Sequence, residues 1–122
     1  MLTQELVTLA REANEQCKAA IEAIALFVDD PFVRSRSLGD YDGYVEIATA
    51  ATRCLAFGGS VGGTHELHIT EQVDYLYKRH TTFWRAEREM PENSPQLLYF
   101  QAFNAALMWG IDRLEHILKV PV

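Results

Sequence analysis

Apolar residues recur every three or four positions through most of this chain, the spacing that lays one face of an α-helix against a core. The first such run extends from about Thr3 to Val28. Leu6, Leu9, Ala10, Ala13, Cys17, Ala20, Ile21, Ile24, Phe27 and Val28 form its stripe, with Glu5, Glu12, Glu15, Lys18 and Glu22 turned outward. Asp29-Asp30-Pro31 ends it, because the residue before proline is pushed out of the helical region. A linker from Phe32 to Gly43 is expected next, carrying Arg34, Ser35, Arg36 and a DYDG turn.

A second helix is predicted to start at Asp42 as N-cap and to run to about Phe57. Val45, Ala48, Ala51, Thr52 and Leu55 give it a narrow face of small residues, suited to close packing. The glycine-rich segment 58–63 breaks the chain. The third helix is expected from near Thr70 to Glu89, through Val73, Leu76, Tyr77, His80, Phe83 and Trp84, with Pro91 as its stop. Ser94-Pro95 pairs a capping hydroxyl with proline at the first helical position, and a fourth helix follows to about Lys119. No stretch alternates with the period of a strand. The fold class is all-α: a single domain built as a small antiparallel bundle of about four helices.

The fourth helix is anomalous. From Leu97 to Ile111 only Gln101 and Asn104 are polar, so this stretch is apolar nearly all round. It is too short to span a bilayer, which needs about 20 such residues. On a helical grid Leu97, Phe100, Asn104, Leu107, Ile111, Leu114 and Leu118 make one stripe, and Leu98, Ala102, Ala105, Met108 and Trp109 a second. Tyr99, Phe103 and Ala106 remain over. Either three neighbouring helices cover that remainder or a second chain does. The expected partner-binding residues are therefore Tyr99, Phe103 and Trp109, with Phe83 and Trp84 next, since aromatic side chains are enriched at interface centres.

Charge and cysteine content narrow the partners. Eleven basic against seventeen acidic residues give a net charge of −6, which disfavours nonspecific binding to nucleic acid or anionic lipid. Lys78, Arg79, Arg85 and Arg88 interleave with Tyr75, Tyr77, Phe83 and Trp84 on helix three, but Glu87 and Glu89 dilute that patch, so a solvated face or a surface for an acidic partner is expected. Cys17 and Cys54 lie in alanine-rich helical stretches and read as buried free thiols. With no basic-then-apolar leader, the expected compartment is a reduced cytoplasm.

Catalytic constellations are hard to find. The glycine segment lacks the lysine of a phosphate loop and follows a helix rather than a strand. His65, Glu66 and His68 are metal-ligand types, yet HELH is one residue short of the metalloprotease spacing, and no Glu-x-x-His motif of the di-iron bundles occurs. No glycine elbow surrounds a serine. Asp40 and Asp42 before Gly43 fit turn chemistry better than a calcium loop. His80 reads as a hydrogen-bonded core residue, and His116 as a cation near a helix C-terminus.

Two functions follow as expectations. The first is a non-enzymatic interaction protein without cofactor or metal, a homodimer that regulates or inhibits another protein by binding and sequestering it. The alternative is a metal- or small-ligand-dependent enzyme with a site near the glycine loop, using His65, His68, Glu71 and His80.

Overall fold

The computed structural model describes residues 2–57 and 65–119, and the described residues form four α-helices with no strand. They are α1 (Leu2–Leu26), α2 (Pro31–Phe57), α3 (His65–Glu89) and α4 (Pro95–Lys119). The glycine segment 58–63, read above as a helix connection, lies outside the described residues, as do the side chains of Leu2, Phe57 and His65. No helix among the described residues is long and apolar enough to cross a membrane.

The expected linker between the first two helices is helix instead. Asp29-Asp30-Pro31 does stop α1, but the same residues start α2. The Asp30 carboxylate accepts hydrogen bonds from the Phe32 and Val33 amides at 3.0 and 3.2 Å, with Pro31 at the first helical position. This is the arrangement expected and found at the head of α4, where the Ser94 hydroxyl accepts from the Leu97 amide at 3.2 Å. Asp42 is accordingly not an N-cap; it sits inside α2.

The DYDG segment ending at Gly43 is expected as a turn, and Gly39 and Gly43 each cost about 1 kcal/mol relative to alanine inside a helix. Their place in the structure shows what offsets this. A Cβ on Gly39 would collide with the Tyr99 carbonyl oxygen, and one on Gly43 would lie 2.6 Å from the Ala106 Cβ. Gly110 on α4 is in turn filled by the Ile47 side chain. The three glycines let α2 and α4 cross at close range.

That crossing sets the architecture. α2 and α4 run in the same direction, as Gly39 against Tyr99, Gly43 against Ala106 and Ile47 against Gly110 require. In a square up-and-down bundle such a pair would sit on the diagonal. Here they touch along their length, α1 packs mainly on α2 and α3 mainly on α4, and α1 and α3 are held apart.

One core fills the join. Leu6, Leu9 and Ala13 of α1 meet Ile47, Ala51 and Cys54 of α2, Ile69, Val73 and Leu76 of α3, and Leu107, Ile111, Leu114 and Ile117 of α4. α3 starts five residues before the expected Thr70, which carries Ile69 into this core. Two expected faces are only partly right. Of the α1 stripe, Leu6, Leu9, Ala13, Cys17 and Ala20 are buried and Ala10 and Ile24 half-buried, whereas Ile21 and, past the helix end, Phe27 and Val28 are exposed. On α2, Ile47, Ala50 and Cys54 face inward, while Val45 and Thr52 lie outside.

Candidate interaction surface

The residues left over on the α4 grid are covered within the protomer. Phe103 is only 2% exposed, packed face to face at a tilt with Phe83 at a centroid distance of 4.4 Å. Phe100 lies 5.7 Å from the same Phe83 ring, and Tyr99 stacks on Phe103 from the other side at 6.2 Å. The Arg79 guanidinium caps the cluster, 5.0 Å from the Phe83 centroid and 5.9 Å from that of Phe103. Phe103 thus offers almost no area to another chain in this protomer.

Polar groups close the same three-helix seam. Arg79 donates to Glu46 of α2 at 2.7 Å, Tyr99 donates its phenolic hydrogen to Asp42, and Asn104 donates to Glu87 of α3 at 2.9 Å. Arg79, Phe83 and Glu87 recur every four residues on α3, as Asp42 and Glu46 do on α2, so each trio or pair shares one helical face. Burial, and then the Asp42 carboxylate, push the Tyr99 phenol well above its ordinary value. Tyr99 therefore holds its proton, and Arg79 is neutralised by Glu46. Such a cluster fastens the three helices, its carboxylates engaged by Arg79, Tyr99 and Asn104.

The remaining expected contacts lie elsewhere. Trp109 stands edge-on to Tyr44 at 5.3 Å with Arg113 over its ring at 5.2 Å, and Arg113 bonds Glu12 of α1 at 2.5 Å. Trp84 is exposed on α3, with Arg88 over it at 4.8 Å. The five residues expected to bind a partner do not share one surface.

His68 lies 3.7 Å from Glu71, but no group of three or more metal-ligating side chains comes together among the described residues. Cys17 and Cys54 are buried thiols, and desolvation raises both; that of Cys54 reaches about 11. A thiol so placed is protonated at neutral pH and is a poor nucleophile. On α3, Lys78 pairs with Asp74 at 3.0 Å and Arg79 with Glu46, which removes two cations from the basic–aromatic patch.

A different surface stands open. On α1, Val7, Ile21 and Val28 are exposed, and with Asn14 they recur at every seventh residue, Val28 lying just past the helix end. On α2, Leu38, Val45 and Thr52 repeat the same interval and are also exposed. The five apolar members are between 36% and 51% exposed. The two rows meet at a groove of about 330 Å³ lined by Asn14, Val45, Ala48, Thr52, Arg53 and Ala56. Leu26, Phe27 and Phe32, exposed at the α1–α2 turn, extend the apolar area at one end.

The contact between α2 and α4 explains why this seam is bare. Since α2 lies against α4, α1 has one long neighbour instead of two, and its core stripe (Leu6, Leu9, Ala13, Cys17, Ala20) exhausts that contact. The second row stands beside it. The expected stripe takes in Ile21 and Val28 but not Val7; the paired apolar neighbours Leu6-Val7 and Ala20-Ile21, two heptads apart, are the signal of a second row.

No family model, curated protein or solved structure matches this chain. The functional reading rests on the surface alone.

Proposed function

We propose that this protein is a non-enzymatic interaction module that binds another protein and restrains it, in the manner of a small regulator or inhibitor. One observation carries the reading: the heptad-spaced apolar seam on α1 and α2 that the protomer leaves exposed. Monomeric proteins rarely leave a contiguous apolar patch of more than a few hundred Å² uncovered unless it binds something.

Magnitudes bound what the seam supplies. Fully burying a large aliphatic or aromatic side chain contributes roughly 1.5–3 kcal/mol, so covering the half-exposed seam and turn residues contributes on the order of 6–12 kcal/mol. Association costs about 4–15 kcal/mol in lost freedom and ordering. Apolar contact alone therefore gives a weak complex, and selectivity has to come from the groups that flank the seam.

The test is affinity capture with the tagged full chain from extracts of its native host, followed by reconstitution from purified components. The expected result is a stoichiometric complex in which the captured protein loses its own activity. Retention of nothing beyond what an unrelated acidic helical bundle retains would overturn the reading.

A further inference from the structure

Resting on that reading, we infer that the seam between α1 and α2 receives an acidic amphipathic helix of the partner protein. Its apolar row would follow Val7, Asn14, Ile21 and Val28, and its carboxylates would meet a basic rim. The charges flanking the seam carry the inference. Arg11 and Lys18 stand four residues after Val7 and Asn14, rotated only about 40° from them on the helix. These are the positions that set partner choice in heptad-paired helices. Both are exposed, and neither lies within ion-pair distance of a carboxylate among the described residues. Arg53 lines the groove from α2, also without a carboxylate partner, and Arg34, which donates to the Val28 carbonyl at 3.3 Å, stands at the far end beside Leu38.

The nearby carboxylates do not cancel this rim. Glu15 and Glu22 follow the seam positions by one residue and are turned about 100° away. Asp42 and Glu46 on α2 are held by Tyr99 and Arg79, and Asp30 caps α2. In a chain of net charge −6, the charges nearest the seam along α1 are thus positive, with Asp29 and the capping Asp30 confined to its far end. A second copy would bring the same cations against themselves, so the charge pattern favours a different, acidic chain. A helix of about 21 residues spans the row from Val7 to Val28, and the hollow at Asn14 and Val45 has room for one of its large side chains.

A displayed library of helical peptides, apolar at heptad positions and randomised on the flanks, tests this against the full chain. Peptides enriched in Asp and Glu on the flanks are expected, with affinity falling at least tenfold in Ile21→Asp and in the double variant Arg11→Glu/Lys18→Glu. Far-UV circular dichroism of both variants should match the parent, since all three positions are exposed. Enrichment of neutral or basic flanks, affinity unchanged in either variant, or no enrichment at all overturns the inference. Sedimentation of the parent as a dimer that Ile21→Asp converts to monomer assigns the seam to a second copy, and overturns it equally. A captured host protein that binds Ile21→Asp as well as the parent removes the groove but leaves the module standing. Acidic binders without any captured protein do the reverse.

Discussion

At the scale of single residues, the glycines of α2 invert their usual meaning. Gly39→Ala gains about 1 kcal/mol of helix propensity. Its new methyl group, however, meets the Tyr99 backbone carbonyl, which cannot swing aside as a side-chain tip could. Overpacking of this kind costs about 1–3 kcal/mol or more, so a net loss of stability is expected, seen as a lower urea midpoint. A midpoint that rises instead would show that α2 and α4 are not in this contact. Tyr99 makes a second, pH-dependent prediction. Burial and Asp42 raise its folded pKa above the unfolded value of about 10. The protonated phenol therefore stabilises the fold fully below pH about 10, and that contribution is lost as pH rises through the folded value. Tyr99→Phe should lower Tm at neutral pH and flatten its alkaline decline, although Tyr44 and Tyr77, also raised, keep part of the slope. Cys54, pushed up to about 11 and fully buried, should react with a thiol reagent at pH 7.5 only as fast as the fold opens. Rapid labelling of both cysteines in the native protein would contradict their placement.

At the scale of elements, the helix ends were legible because capping is local. Ser94-Pro95 was recognised as a start, and Asp30-Pro31 has the same chemistry, one acceptor side chain before a proline. It reads only as a stop because the turn signal Asp40-Tyr41-Asp42-Gly43 downstream weighs against helix. Asp30→Ala should cost about 1 kcal/mol by releasing the Phe32 and Val33 amides, and Ser94→Ala a similar amount, both measurable by urea unfolding. An unchanged midpoint for Asp30→Ala would argue that α2 begins later, as its glycines suggested. On α4, the grid correctly placed Asn104 on an inward stripe. It is 5% exposed, and its amide is used to bond Glu87 across to α3. The same grid could not say what lies beside Tyr99 and Phe103, because the covering residues, Arg79 and Phe83 on α3 and Glu46 on α2, are remote in sequence.

At the scale of the molecule, core and surface substitutions should separate sharply. Phe103→Asp places a charge in the join of three helices and should unfold the protomer, whereas the sequence pattern alone presented it as a probe of assembly. Ile21→Asp and Val45→Asp alter half-exposed positions and should lower unfolding free energy by only about 1 kcal/mol, the share of each side chain already covered. A loss of several kcal/mol at Ile21 would mean that the seam is core after all.

The sequence by itself determined that the chain is all-α, that there are four helices, where most of them end, and one inward stripe of α4, Asn104 with Leu107, Ile111 and Leu114. Those properties follow from periodicity and from caps within a few residues of one another. Which apolar residues would be left outside was decided by tertiary structure. Gly39 and Gly43 have no visible purpose until α4 lies across them, and that close crossing leaves α1 with one long neighbour. Val7, Ile21, Val28, Leu38 and Val45 then stand in the open. A hydrophobic residue in a sequence announces that it will be buried, but only the packing of the other helices fixes whether its cover comes from the same chain.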